Sequence, residues 1–126
     1  MARKKSPGLT DAELRLMEVL WRIGPATVTD VAEGLPKDVP LAYSTVLTTL
    51  RILESKGYLQ HRKDGRAFVY EPVVGREQAR ENAVIHLLRR FFENSPEQLM
   101  LNLIDGRKIG AKELKRLRKR IEEAER

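Results

Sequence analysis

Apolar residues recur at intervals of three and four along residues 11–53, in three segments separated by glycine and proline. Such spacing places apolar side chains on one face of a helix, so it predicts three short amphipathic helices. The first follows "TDAE" at 10–13, a capping box whose two side chains can satisfy free backbone N–H groups. The second starts at "TVTD" at 27–30. The predicted inward faces are Leu14, Met17, Leu20 and Trp21 in the first helix, and Val28, Val31, Ala32 and Leu35 in the second.

The third segment, "AYSTVLTTLRILESKGYL" at 42–59, combines an apolar face with a row of short hydroxyl side chains. At about 100° per residue, four apolar residues share one side of the predicted helix. These residues are Val46, Leu47, Leu50 and Leu53. Gly57 is a natural residue to end the helix. The outward side then presents Ser44, Thr45, Thr48, Arg51 and Ile52, and Thr49 adds a further hydroxyl.

A β-hairpin is predicted directly after this helix. "YLQHR" at 58–62 favours one strand and "AFVYEP" at 67–72 favours the returning strand, with "KDGR" as the turn. Asp-Gly between two such runs is a strong hairpin signal. Three helices followed by a hairpin predict a winged helix-turn-helix domain over residues 1–73, with the hairpin as the wing.

The pattern after Pro72 is wholly helical and predicts three more helices over residues 74–126. Their apolar positions form a ridge with few partners inside the chain, and a two-fold dimer would bury it. The fold class is therefore mostly α with a small β-hairpin, a winged helix-turn-helix domain followed by a three-helix dimerisation domain. The predicted dimer residues are Leu87, Leu88, Phe91, Leu99, Met100, Leu103, Ile104, Leu117 and Ile121.

Composition narrows the function classes. The 126 residues carry a net charge of +6, with a sequence pI of about 9.8, which admits nucleic acid as a partner. There is no cysteine, so disulfides, thiolate zinc sites and cysteine catalysis are excluded. No stretch reaches the length of a membrane span, and the basic N-terminus lacks the apolar core of a signal peptide. We expect a cytoplasmic chain without membrane insertion.

Candidate catalytic and metal sites are missing from the sequence. His61 and His86 have no neighbouring ligands at metal-site spacing. No GxSxG motif or glycine-rich phosphate loop occurs, and no carboxylate pair has a base beside it. We therefore expect neither an enzyme, nor a cofactor, nor a metal site.

The hydroxyl row suits a helix that lies in the major groove of DNA. Short side chains let the backbone approach, and hydroxyls can contact base edges or phosphates. The alternative is a solvated face that happens to be rich in threonine. The aromatic residue at 43 could contact a phosphate or cap the core, and Ile52 could contact a thymine methyl or pack against the wing. The predicted DNA contacts of this helix are Tyr43, Ser44, Thr45, Thr48 and Arg51.

Basic side chains surround the predicted wing tip and could reach phosphates or the minor groove. The alternative is an ordinary solvated turn. These candidate contacts are Arg62, Lys63 and Arg66, while Arg3, Lys4 and Lys5 would add diffuse attraction. The basic run "KELKRLRKR" at 112–120 is interpreted instead as the solvated side of an amphipathic helix.

Several of these segments together resemble one family. The segments "LTDAELRLMEVLW", "ATVTDVAEGL", "AYSTVLTTLRILESKGYL", "DGRAFVYEP" and "ELKRLRKRIEEAER" are similar to the penicillinase-repressor family, over residues 9–126. The resemblance implies a cytoplasmic homodimeric repressor that occupies an inverted-repeat operator in double-stranded DNA. It also implies that the third helix enters the major groove, with base and phosphate contacts at Ser44, Thr45 and Thr48.

The resemblance further implies how such repressors are released from DNA. In β-lactam-responsive members, a membrane-bound sensor protease triggers cleavage of an Asn-Phe bond in the dimerisation domain. The matching candidate cleavage bond here is Asn102–Leu103, within "LMLNLI". Copper-responsive members bind metal through C-terminal cysteines, which this chain lacks. The sequence leaves the inducer and the operator open.

Two alternatives to a repressor remain at the level of sequence. A winged helix can serve as a protein-interaction adaptor without binding DNA. A regulator that responds to a small molecule would need a cavity, which the pattern of residues does not reveal.

Overall fold

The computed structural model describes residues 8–126, which form six α-helices and one two-stranded antiparallel sheet. The predicted order of three helices, a hairpin and three further helices is confirmed. The basic residues Arg3, Lys4 and Lys5 lie outside the described residues. The elements are α1 (Asp11–Ile23), α2 (Val28–Gly34), α3 (Tyr43–Ser55), β1 (Leu59–Asp64), β2 (Ala67–Pro72), α4 (Arg76–Phe91), α5 (Pro96–Asp105) and α6 (Ala111–Ala124).

Helix starts follow the sequence signals closely. The Thr10 hydroxyl accepts from the Glu13 N–H at 3.2 Å, and the Thr10 N–H donates to the Glu13 carboxylate at 2.8 Å, which confirms the predicted capping box. Thr27 and Asp30 form the same reciprocal pair at α2. Each box satisfies two backbone N–H groups that a helix start would otherwise leave free.

The core of the N-terminal unit lies where α1, α2 and α3 meet the hairpin. One predicted core position is wrong: Leu14 is 39% exposed, and Leu16 of the same helix is buried instead. In α3, half-buried Leu47 packs against the core as predicted. The hydroxyl side chain of Thr49, predicted to face outward, is buried as well. The largest fully buried side chains are Tyr70, Leu16, Met17, Leu20, Leu50, Leu53, Val31 and Val46.

A buried ion pair joins the start of α1 to the end of α3. The Lys56 ammonium lies 2.8 Å from the Glu13 carboxylate, and both side chains are less than a tenth exposed. It also donates to the Gly8 carbonyl at 3.1 Å. The two charges compensate each other, and each has a further hydrogen-bond partner, so the pair determines where α3 ends against α1. Nothing in the spacing of the apolar residues predicts this contact.

Gly34 brings α2 close to α1, and the fit leaves no room for a side chain. A Cβ at this position would lie 2.7 Å from the Cγ1 of buried Val19, and the Gly34 carbonyl accepts from the Arg22 guanidinium at 2.8 Å. We expect Gly34→Ala to lower the free energy of unfolding by about 1–3 kcal/mol, because overpacking shifts the core. Urea denaturation measures this, with Glu33→Ala on the exposed side of α2 as control. Equal stability of both variants would contradict the tight fit.

The hairpin pairs β1 with β2 in full register, from Leu59 opposite Pro72 to Asp64 opposite Ala67. The predicted turn starts two residues too early, because Lys63 and Asp64 still belong to β1. Gly65 and Arg66 form the two-residue turn, and Gly65 has a φ of +64°. Glycine in the first central position suits the twist of a hairpin, since it adopts positive φ without strain.

A third segment extends the sheet beyond the predicted hairpin. Ala26, between α1 and α2, exchanges two backbone hydrogen bonds with Tyr70 at 2.9 and 2.8 Å. This bridge ties the base of the wing to the helices that support α3.

The chain divides into two compact units, Met1–His86 and Leu87–Arg126. The division falls inside α4, whereas the sequence pattern placed the functional boundary between residues 73 and 74. The Ser95 hydroxyl caps α5 by accepting from the Gln98 N–H at 3.2 Å, and Pro96 occupies the first turn. Between α4 and α5, Glu93 and Asn94 both adopt positive φ, and the Asn94 N–H donates to the Leu88 carbonyl at 2.9 Å at the end of α4.

Candidate nucleic-acid interface

The outward face of α3 is exposed along its whole length. Ser44, Thr45, Thr48 and Arg51 are all exposed, and Tyr43 at the first turn is 56% exposed. Ile52 on the same side is 42% exposed. Ser44, Thr45, Thr48 and Arg51 therefore lie on one solvent-facing side of α3, as helical periodicity requires, and Tyr43 is exposed because it lies at the first turn.

The threonine hydroxyls bond back to their own helix. The Thr48 hydroxyl donates to the Ser44 carbonyl at 2.9 Å, and the Thr49 hydroxyl donates to the Thr45 carbonyl at 2.7 Å. Thr49 is buried, so its place in the hydroxyl row is wrong: this bond lets a polar side chain sit on the core side. Thr48 instead faces solvent with its oxygen lone pairs available as acceptors.

Arg51 lies beside the buried end of the wing. Its guanidinium neighbours the hydroxyl of Tyr70, a residue of β2 that is almost wholly buried. Burial raises the pKa of Tyr70, and the charge of Glu54 raises it further, while the Arg51 guanidinium lowers it. The hydroxyl therefore keeps its proton at neutral pH and serves Arg51 as a neutral partner.

A second contact joins α3 to the wing one helical turn later. Glu54 accepts from the Nδ1 of His61 in β1, at 2.6 and 2.7 Å to its two carboxylate oxygens. The His61 ring packs against Phe68 at 4.8 Å and against Tyr70 at 5.5 Å between centroids. Glu54, His61 and Tyr70 together determine the position of the wing relative to α3.

A groove of about 360 Å³ runs between α3, the start of α2 and the wing. Tyr43, Arg51 and Arg66 line it, together with Thr27 and Thr29, and none of the lining residues is acidic. The structure thus brings three of the eight predicted DNA-contacting residues to one place. Two guanidinium groups with tyrosine and threonine hydroxyls are donors suited to phosphate oxygens.

The remaining wing cations are exposed but point in different directions. Lys63 lies opposite Phe68 and Arg62 opposite Val69, and neighbouring residues of a strand project from opposite faces. Lys63 therefore shares the face of His61 and Tyr70, while Arg62 lies on the other face.

The C-terminal unit, Leu87–Arg126, buries few of its apolar side chains. Of the nine predicted dimer residues, Leu88 is buried, and Leu99, Met100 and Leu103 are half-buried. The other five are exposed, with Phe91 at 65% and Ile121 at 59%. The five are Leu87, Phe91, Ile104, Leu117 and Ile121. Apolar side chains exposed in this number are typical of a surface that another chain covers.

The candidate cleavage bond lies inside a helix. Asn102 is exposed and Leu103 is half-buried, and the Asn102 carbonyl accepts from the Gly106 N–H at 3.0 Å at the end of α5. The last turn of α5 must therefore unwind before an extended segment could enter a protease.

Other classes of site find little support between residues 8 and 126. No group of three or more histidine, aspartate or glutamate side chains there could hold a metal ion. No helix in that range is long and apolar enough to span a membrane.

Three residues that position the interface were not found from sequence. Glu54, His61 and Tyr70 lie on different elements, and only the fold brings them together. The alternation of β2 does place Tyr70 on the same face as Phe68, and these residues pair with His61 and Lys63 of β1, respectively. This pattern partly predicts the ring contacts of His61, but it does not predict the contact between Tyr70 and Arg51.

Comparisons with known proteins agree with this architecture. The sequence profile of the penicillinase repressor family matches residues 9–123. The penicillinase repressor of Bacillus licheniformis is 32% identical over 120 residues, which is 95% of this chain and 94% of that protein. The transcriptional regulator BlaI of Mycobacterium tuberculosis is 35% identical over 118 residues, covering 93% of this chain and 85% of its relative.

A solved structure is similar as well. The DNA-binding domain of the repressor BlaI superposes with a TM-score of 0.52 at 37% identity, covering 60% of this chain and 93% of that domain. The profile match extends over most of the chain, and both relatives align over most of their own length. The resemblance seen in the sequence is thereby confirmed. The chain belongs to the penicillinase repressor family, whose members are transcriptional repressors and not enzymes.

Proposed function

We propose that this chain is a DNA-binding transcriptional repressor that acts as a cytoplasmic homodimer on an inverted-repeat operator. The observation that carries the proposal is the exposed face of α3, where short hydroxyl side chains and Arg51 stand beside a groove free of acidic residues. The relatives named penicillinase repressor and BlaI support it, as does the likeness to a BlaI DNA-binding domain.

Recognition would use α3 in the major groove. Ser44, Thr45 and Thr48 are short enough for the helix backbone to approach the base edges, and each carries a hydroxyl oxygen. Tyr43, Arg51 and Arg66 would contact phosphates from the groove beside α3. In this arrangement base contacts supply sequence preference, whereas phosphate contacts supply register and strength.

Dimerisation would use the apolar residues of α4, α5 and α6. A unit of 40 residues that buries so little of its own apolar surface gains stability from a second copy. A two-fold dimer would present two α3 helices to two half-sites, which is why an inverted repeat is the expected operator.

The proposal is tested by selecting preferred duplexes from random DNA and measuring binding by fluorescence anisotropy. We expect a palindromic consensus and a dissociation constant on the order of 10⁻⁸ to 10⁻¹¹ M that rises steeply with salt. Light scattering on the free protein should give the mass of two chains. A monomer that binds no duplex at low salt would instead support the adaptor alternative.

Tyr70→Phe is expected to weaken operator binding about five-fold. The variant removes the hydroxyl beside the Arg51 guanidinium, and the loss of a polar contact of about 1 kcal/mol corresponds to that factor. Anisotropy measures the change, with Tyr58→Phe as the matched control, because Tyr58 is also a buried tyrosine but lies near α1 and α4 instead of beside Arg51. If both variants bind DNA equally, Arg51 does not depend on Tyr70.

Lys63→Ala is expected to weaken operator and random duplex by the same factor. An exposed wing cation would contact phosphate only, so its loss should also reduce the salt dependence by about one ion. Titrations of both duplexes at several salt concentrations measure this. A change in the ratio of the two affinities would mean that Lys63 reads base edges.

The proposal also includes release of the repressor from DNA by proteolysis. Cleavage at Asn102–Leu103, triggered by a membrane-bound sensor protease, would remove the last three residues of α5 and all of α6 from the DNA-binding unit and so prevent dimerisation. The family resemblance supports this route, although leucine replaces phenylalanine after the cleaved bond. Mass spectrometry of the chain from induced cells should find a fragment that ends at residue 102. An intact chain in cells whose operator is derepressed would exclude this route.

A further inference from the structure

A cavity of about 540 Å³ lies between α1 and the first half of α4. All of its lining residues belong to the N-terminal compact unit, and it is separate from the groove beside the wing. Its volume is in the range that small organic ligands occupy in proteins. Neither the DNA contacts nor the dimer residues proposed above line it.

Apolar surface forms most of the cavity wall. Leu14 and Trp21 contribute from α1, and Ala79 and Ala83 contribute from α4, one helical turn apart. Leu14 is an apolar side chain of α1 that the core leaves exposed, and the two alanines occupy little of the cavity because their side chains are short. This surface suits a flat apolar group of the size of one or two aromatic rings.

The tryptophan ring in this wall is fixed in orientation. The Trp21 indole N–H donates to the Val74 carbonyl at 2.9 Å, and the Arg76 guanidinium carbon lies 5.4 Å from the ring centroid. Because both contacts restrain the indole, the cavity is formed before any ligand enters. A ligand would therefore spend little binding energy on ordering the wall.

The charge at the cavity favours an anion. Arg76 and Arg80 line it one turn apart on α4, and Glu18 is the single acidic residue among the lining side chains. Neither arginine takes part in an ion pair within residues 8–126. Since Arg76 stacks on the indole, Arg80 is the cation best placed to bind a carboxylate through two parallel N–H donors.

We propose that this cavity binds a planar aromatic carboxylate, with its rings against Leu14, Trp21, Ala79 and Ala83 and its carboxylate on Arg80. The geometry and the charge are those of an effector site, which the repressor function by itself does not require. The same helix α4 carries the dimer residues Leu87 and Phe91 beyond the cavity. A ligand that contacts α4 is therefore placed to influence both halves of that helix.

The test is an NMR titration of the free protein with 2-naphthoate. Trp21 is the only tryptophan of the chain, so its indole N–H gives a single resonance that reports on the cavity wall. We expect a saturable shift with 2-naphthoate and at least about ten-fold weaker binding of the neutral 2-naphthamide, because the amide lacks the charge-assisted bonds to Arg80.

Variants locate the ligand in the cavity. Arg80→Gln should weaken 2-naphthoate at least about ten-fold, and Ala83→Phe should abolish binding by filling the cavity. Arg89→Gln removes an exposed arginine of α4 that does not line the cavity, and it should leave binding unchanged. No shift at millimolar 2-naphthoate, or equal binding of the amide, or an unaffected Arg80→Gln variant would each overturn the proposal. The titration contains no DNA, so its failure leaves the proposed repressor function intact.

Discussion

A chain in which Phe91 and Ile121 are both replaced by aspartate is expected to be monomeric and to lose cooperative binding to its operator. Both side chains are more than half exposed in the single chain, and both belong to the proposed dimer surface. In a dimer each would contribute about 1.5–3 kcal/mol through burial. Each aspartate would in addition place an unpaired charge in an apolar interface, at a cost of several kcal/mol.

The affinities for a full operator and for a half-site together distinguish a loss of dimerisation from a loss of DNA contact. Two linked half-site contacts exceed a single contact by about 10²–10⁴ in affinity, so the monomer should bind the full operator weaker by that factor. Binding to an isolated half-site should change little, because α3 and the wing are untouched. Sedimentation equilibrium measures the mass, and anisotropy on full-site and half-site duplexes measures the two affinities.

The matched control carries the same added charge elsewhere. Gln78→Asp with Gln98→Asp changes two exposed polar residues of α4 and α5 and also adds two negative charges. This control should remain dimeric and should bind the operator nearly as well as the original chain. If the Phe91 and Ile121 variant also stays dimeric, the apolar surface of α4–α6 is not the interface.

Thr48→Asp is expected to reduce operator binding by more than about 100-fold. The carboxylate would lie between two phosphate strands, where its charge is repelled. Thr48 is exposed, and its hydroxyl bonds only to its own helix at Ser44, so the substitution should not disturb the core. The loss would therefore be one of DNA contact and not of folding, and circular dichroism verifies this.

Thr48→Val isolates the hydroxyl from the charge. Valine keeps the shape and the methyl group but cannot accept a hydrogen bond, so operator preference over random DNA should fall by the value of one base contact, about 1–3 kcal/mol. For Thr48→Asp, the single variant Gln78→Asp controls for net charge, because it adds the same negative charge on α4. An unchanged preference in Thr48→Val would remove Thr48 from the recognition surface.

The sequence predicted the order of elements because local signals mark most boundaries. The caps at Thr10 and Thr27, the glycine after α3 and the Asp-Gly pair of the hairpin each act within four residues, which one sequence displays directly. The predicted packing was less accurate. Leu14 was predicted to be buried but is exposed, and Thr49 was predicted to face outward but is buried. The elements packed against a helix determine which part of its amphipathic face is covered.

The candidate interface was predictable to the extent that helical periodicity determines exposure. Ser44, Thr45, Thr48 and Arg51 project outward as the 100° spacing requires. The supporting contacts were not predictable, because Arg51 and Tyr70 are 19 residues apart in the sequence, and Lys56 and Glu13 are 43 residues apart. Polar partners at such separation depend on the angles between elements, which apolar periodicity does not specify.

The bond from Thr48 to Ser44 also restricts which bases can lie opposite α3. The hydroxyl proton is already committed to a carbonyl of the helix, so the side chain offers only an acceptor to its partner. Adenine and cytosine present exocyclic amino groups in the major groove, whereas guanine and thymine present keto oxygens at the equivalent edge. The base that meets Thr48 should therefore be an amino base, which makes this single bond a filter on the operator sequence.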